Sequence, residues 1–323
     1  MAAMNASPPM SQITPAVHWP LAFLAVAAPT LLAANDPPSV TFYNQVLSVF
    51  GWGLWMAALL RLQGGLPVRV PEGSRAWWAL TLVLAVCGAA AWWSSAVNHL
   101  PVGLAMMASG MAAAAWLVMS TAWRSSHRLG TVDTLDVMAE ALAITGAAGL
   151  ALGFLQVFVP SWTDGLIIAE TSTAGRAVGN LRQPNHLSTL LIWAACGAAW
   201  MGRRRLLAWP LAALAVFMFM GGVVWTASRT GMLGTLLLTL WALRDRHMPT
   251  RLRWVVGAAP LIYAAWWLGM DWWAHVGTDH AFAAGARLND GSDISSSRFK
   301  IWSDTLTLIQ AQPWTGVGWG QFN

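Results

Sequence analysis

Long apolar runs separated by short polar segments decide what this chain of 323 residues can become. The runs fall at about 18–34, 41–60, 76–97, 101–123, 137–159, 186–202, 206–227, 231–243 and 254–270. A helix needs about 20 mostly apolar residues to cross a bilayer, so the pattern predicts about nine spans. Composition agrees, because only 10% of the residues are charged where a soluble domain carries about 25%. The expected fold is all-α: a polytopic membrane helical bundle over residues 1–270, followed at 271–323 by the start of a large polar loop. The first run, from His18 to Ala34, has no basic segment before it and more spans after it. It is therefore read as a retained span and not as a cleaved signal.

The 18 basic residues orient these spans. Twelve are arginines in four short loops: Arg61, Arg69 and Arg75; Arg124 and Arg128; Arg203, Arg204 and Arg205; and Arg244, Arg246, Arg251 and Arg253. The positive-inside bias places those loops, and with them the amino terminus, in the cytoplasm. The segments 35–40, 94–100, 160–185, 228–230 and 271–323 then face outward, away from the cytoplasm. Arg176, Arg182, Arg229, Arg287, Arg298 and Lys300 all fall on that outward side, where the bias leads one to expect few cations. An anionic substrate there supplies a reason for them. The sequence pI near 10.2 follows from this topology, and the scatter of arginines over short loops speaks against a nucleic-acid partner. Cys87 and Cys196 lie within apolar runs and read as buried thiols. No spacing suggests a metal site. The tryptophans at helix ends (Trp92, Trp93, Trp266, Trp267, Trp272, Trp273) fit interfacial belts.

Three outward segments carry the polar chemistry. Gly175–Ser188, GRAVGNLRQPNHLS, joins the 160–185 loop to a span. Arg176 and Arg182 bracket a Gly179–Asn180 turn, Gln183, Asn185 and His186 follow, and Pro184 suits the first turn of a helix. Free N–H groups at a helix start attract anions, and arginine grips phosphate with paired hydrogen bonds. A solvated loop with a helix cap fits the same spacing. Thr226–Gly231, TASRTG, breaks an apolar run of almost 40 residues. Arg229 at that break either snorkels to the interface or lines a polar cavity. In Ser295–Asn323, Ser296–Gln310 reads as an amphipathic helix with Ile301, Trp302, Thr305, Leu306, Leu308 and Ile309 on its apolar side. Pro313 ends it, and a turn with Gly316, Gly318 and Gly320 follows. With no strand before that turn and no helix after it, a nucleotide fold is not supported.

In this order and on one topological side, these strings resemble the bacterial family of O-antigen ligases, O-antigen polymerases and protein O-oligosaccharyltransferases. The resemblance runs from about residue 140 to the end. It rests on R-x5-R-x-x-N with Gly179 and Asn180, on the Ser228–Arg229 pair after a span, and on the R-x3-W…P-x-x-G-x-G pattern. LRQPNHLSTLL looks most like the PglL-type protein O-oligosaccharyltransferases. The resemblance implies transfer of a glycan from an undecaprenyl-pyrophosphate carrier to a hydroxyl, metal-independent, without cofactor, and with inversion. The acceptor would be Ser or Thr of a periplasmic protein such as pilin, a lipid A-core sugar, or a growing polysaccharide. Arg176, Arg182 and Arg298 would contact the pyrophosphate, Arg229 would match a functionally important arginine, and Asn180, Gln183, Asn185 and His186 would support them. The family's general base is a His downstream of the glycine-rich turn, so it is expected beyond Asn323. His186, His275 and His280 do not match it. The resemblance thus implies an amino-terminal portion, inactive alone.

Two other classes fit parts of the pattern. A transporter or flippase would share the many spans, but acidic groups at mid-span are missing and the arginines favour one face. A non-catalytic binder of lipid-linked glycan would share the site without the base.

Overall fold

The computed structural model describes residues 15–34, 42–62, 75–125, 131–276, 281–285 and 294–318. Among them the structure is all helical, with no strand. In chain order the helices are α1 (Pro15–Leu31), α2 (Phe42–Leu62), α3 (Arg75–Val97), α4 (Val102–Ser125), α5 (Thr131–Phe158), α6 (Pro184–Arg203), α7 (Trp209–Trp225), α8 (Arg229–Arg244), α9 (Thr250–Gly257), α10 (Ala259–Val276) and α11 (Ile294–Ala311). Arg75–Val97, Val102–Thr121 and Leu135–Phe158 are long and apolar enough to cross a membrane, and Trp19–Leu31 and Trp209–Trp225 are shorter apolar helices. His280, Arg287 and Gly320, singled out above, lie outside the described residues, as do Arg69 and Arg128.

The chain divides into two units. The first comprises Met1–Ala58 and Thr131–Asn289. In it α6 packs against α5, α7 and α8, while α10 packs on α7 and α8. Small residues make this possible. A Cβ on Gly146 of α5 would lie 2.2 Å from the Ala194 Cβ, and one on Gly197 of α6 would lie 2.6 Å from the Ala139 carbonyl oxygen. Close approach through glycine and alanine is how helices associate where no water drives them together. Leu187, Leu191 and Ala198 of α6 meet Val216, Met220 and Val223 of α7 in the core.

Helix boundaries follow local chemistry. Pro184 opens α6 in its first turn, where its missing N–H costs nothing. Ser228 caps α8 by accepting a hydrogen bond from the Gly231 N–H at 3.2 Å. The break expected within TASRTG is present, with α7 ending at Trp225 and α8 starting at Arg229. The run 254–270 departs from expectation, because it is interrupted at Ala258 between α9 and α10. Pro260 has no N–H to continue the ladder from α9, so one straight helix cannot form there.

The second unit comprises Leu59–Gly130 and Asp290–Asn323. Here α3 and α4 pair, joined by Trp77 Nε1 to Ser120 Oγ at 3.3 Å and Trp92 Nε1 to Ser109 Oγ at 2.8 Å. The amphipathic helix expected at Ser296–Gln310 is α11, and its Ile301, Trp302 and Leu306 are exposed. The turn after Pro313 is tied to α3. Ser94 Oγ donates to the Thr315 carbonyl at 2.8 Å and Asn98 Nδ2 to that of Gly316 at 3.3 Å. Gly316 and Gly318 have φ of 62° and 114°, which L side chains rarely adopt.

Candidate functional site

The site grows from two turns of the first unit. One is the segment Gly175–Gln183 before α6, and the other is Thr226–Ser228 between α7 and α8. Arg176 joins them. Its Nε donates to the Thr226 carbonyl at 3.0 Å, and the neighbouring Ala177 N–H donates to the Trp225 carbonyl at 2.9 Å. These acceptors are carbonyls at the C-terminal end of α7, which its own helix leaves unpaired. A cation there also complements the helix dipole. Three residues past Thr226 stands Arg229, exposed at the start of α8.

A second tie runs from α6 to the same turn. Ser228 Oγ donates to Asn185 Oδ1 at 2.8 Å, and Ser188 Oγ lies 3.0 Å from Ser228 Oγ. Ser188 Oγ also lies 2.9 Å from the Asn185 carbonyl. Asn185 therefore serves the site by locking the start of α6 to the turn that presents Arg229.

Arg182 takes a different direction. Its Nη2 donates to the carbonyls of Ala33 and of Gly165, the latter at 3.2 Å. Its Nε is buried without an acceptor among the described residues. Arg182 has φ 54° and Ala227 φ 50°, so each turn holds a non-glycine residue in the left-handed region, at a cost of about 1–2 kcal/mol. His99 and Arg205 share that conformation elsewhere. Neither Arg182 nor Arg229 forms an ion pair among the described residues, whereas Arg203 and Arg204 at the far end of α6 pair with Asp245 at 2.7 Å and Asp136 at 3.2 Å. Those two ends are separated by 20 helical residues, roughly 30 Å.

Asn180 is 3% exposed and belongs to the scaffold. Its Oδ1 accepts from the Ala169 N–H at 3.0 Å, and its Nδ2 donates to the carbonyls of Leu31 at 2.6 Å and Ile167 at 2.8 Å. Gln183 precedes α6 with no side-chain capping bond. Gln183 and His186 are both exposed. His275 is exposed and bonded to its own helix through the Asp271 carbonyl at 2.7 Å. Arg298 stands on α11 in the second unit. Gln156 lies outside every string singled out in the sequence, and Ser188 and Ser228 stand in theirs with no role assigned. A lone glutamine near the end of the apolar run GLALGFLQVF was the available signal for the first.

Beside Arg229 an apolar groove of about 640 Å³ lies between α8 and α10. Met232, Leu236, Tyr263, Trp267 and Leu268 line it, with Ser228 and Arg229 at one end. Cation and hydrocarbon wall together suit an amphiphile with an anionic head. Among the described residues no cluster of His, Cys, Asp and Glu could hold a metal ion.

The helices and this site define a multi-pass membrane protein. Its residues 213–323 match the family described as O-antigen ligase, and residues 177–201 match the family described as protein glycosylation ligase. A general O-oligosaccharyltransferase of Acinetobacter baylyi is 25% identical over 236 residues, which cover 67% of this chain and 39% of that relative. The chain therefore spans about two fifths of the relative's length. No solved structure matches. These findings bear out the resemblance read from the sequence, since parts of the chain are similar to the O-antigen ligase and protein glycosylation ligase families. The Thr226–Ser228 turn falls within the first matched segment, and the second takes in the turn before α6 from Ala177 onward.

Proposed function

We propose that this chain is part of an enzyme that moves a glycan from an undecaprenyl-pyrophosphate carrier to Ser or Thr hydroxyls of periplasmic proteins, such as pilin, metal-independent and with inversion. The observation that carries the proposal is the apolar groove ending at Arg229, on the turn that Arg176 also grips. The polyprenyl chain would lie along Met232, Leu236, Trp267 and Leu268. The pyrophosphate would meet Arg229, Arg176 and Arg182. As the glycosidic bond breaks, negative charge grows on the leaving pyrophosphate oxygen. Guanidinium groups already fixed in place stabilise that charge without reorganising. The site would face the periplasm of the bacterial inner membrane, with the amino terminus in the cytoplasm.

Transfer to lipid A-core or to a growing O-antigen is the second reading, favoured by the match over residues 213–323. Both readings use the same donor site.

The test is glycan transfer by the full-length protein in membranes, with Arg176→Ala, Arg229→Ala and Arg204→Ala. The first two should lower transfer at least a hundredfold while membrane insertion is kept, the scale reported for losing one transition-state donor, about 10²–10³. Arg204→Ala should transfer normally. Full transfer by both site variants overturns the donor-site assignment. Glycan appearing on lipid A-core alone, and never on protein, selects the second reading.

A further inference from the structure

We infer that Gln156, on the last turns of α5, is a positioning residue for the two arginines of the 175–182 segment. The inference rests on the donor-binding reading above and deepens it.

Gln156 is 1% exposed. A buried primary amide is costly unless its hydrogen-bonding capacity is met, and a glutamine has two donor hydrogens and an oxygen that accepts twice. All four are used here, and all on backbone. Oε1 accepts from the Val178 N–H at 2.9 Å and the Gly179 N–H at 2.8 Å. Nε2 donates to the carbonyls of Ala169 at 2.7 Å and Gly179 at 3.2 Å.

The placement of those partners gives the residue its role. Val178 and Gly179 lie midway between Arg176 and Arg182. Gly179 has φ 58°, the point at which the segment reverses. Gln156 thus fastens the middle of the arginine-bearing segment to a helix that is itself packed on α6. Asn180 fastens the same turn to Leu31, Ile167 and Ala169. With the middle fixed, Arg176 reaches the Thr226 carbonyl on one side and Arg182 the Ala33 and Gly165 carbonyls on the other. Without Gln156, four peptide groups lose a partner and the turn must find another arrangement. The arginines remain present, but their separation and aim are no longer set in advance. Preorganised groups bind better because less ordering is left to the binding event.

The experiment measures binding of radiolabelled undecaprenyl pyrophosphate to the full-length protein in nanodiscs. It compares wild type, Gln156→Met, which keeps volume and removes all four bonds, and Gln156→Glu, which keeps shape and the oxygen that accepts from Val178 and Gly179 but loses both donated bonds. Both dissociation constant and number of sites per protein are read. Gln156→Met should raise Kd roughly tenfold, the lower end for loss of an orienting outer partner in metal sites. The number of sites should stay unchanged. Gln156→Glu should fall between Met and wild type. The double variant Gln156→Met/Arg182→Ala should lose less than the product of the single losses, as expected when one residue acts through another. A wild-type Kd in Gln156→Met overturns the inference. A reduced number of sites at unchanged Kd also overturns it, because the residue would then only support folding. If Gln156→Met does not fold, a wild-type Kd in Gln156→Glu overturns it in the same way. Absence of binding by wild type refutes the donor-site reading itself, an outcome distinct from all of these.

Discussion

Replacing Ser228 by alanine tests whether the α7–α8 turn is held as described. The hydroxyl has three roles. It caps α8 through the Gly231 N–H, donates to Asn185 Oδ1 and meets Ser188 Oγ. Loss of a serine N-cap costs about 1 kcal/mol. Asn185 is half-buried, and depriving its oxygen of a donor adds about 1 kcal/mol more. Ser188 retains the Asn185 carbonyl at 2.9 Å, so its loss adds little. Ser228→Ala should therefore destabilise the protein by about 2 kcal/mol. Reversible unfolding of the detergent-solubilised protein in increasing SDS, followed by tryptophan fluorescence, reads this difference. The cycle with Asn185→Ala separates the two contributions. The double variant should lose about 1 kcal/mol less than the sum of the singles, since both remove one bond. A loss under about 0.5 kcal/mol, the range of an ordinary surface substitution, would refute the argument. So would strict additivity with Asn185→Ala.

Two further outcomes concern the segment between α5 and α6. Gly175 has φ 69°, and a Cβ there would fall 2.0 Å from the Ala281 carbonyl oxygen. Gly175→Ala must shift backbone against backbone and should lower the unfolding midpoint far more than Gly53→Ala, whose added Cβ meets nothing within 4 Å; equal midpoints would refute the close approach. Asp164 accepts from the N–H groups of Leu166, Ile167 and Ile168 at 2.8 to 3.0 Å. Those bonds, that of Ile168 foremost, hold its carboxyl below the ordinary value of 3.8. A depressed carboxylate stabilises the fold above its unfolded pKa, and that contribution disappears as pH falls through the lower native value. The stability difference between wild type and Asp164→Ala should thus be constant from neutral pH to about 4 and shrink below it; a difference growing toward low pH would contradict the assignment.

Much of this protein was settled by sequence alone, because the physics involved is local. Length and apolarity set the helices, with Pro184 marking the start of α6, the TASRTG break separating α7 from α8 and Pro313 following the end of α11. The placement of Arg176 and Arg229 at breaks between apolar runs was enough to nominate an anion site and to suggest the family. What needed tertiary structure was the division of labour among the polar residues. Asn180 and Arg182 share one string, yet the first is tied within the backbone scaffold while the second keeps a buried Nε without an acceptor among the described residues. Pro260 interrupts the last long run, where hydropathy showed one continuous span. Gln156 is invisible as a partner of Val178 and Gly179, because 22 and 23 residues separate them in the chain. Only packing of α5 beside α6 brings that amide to the turn. A hydrogen bond depends on a few tenths of an ångström between distant segments, and no periodicity in the sequence records such a distance.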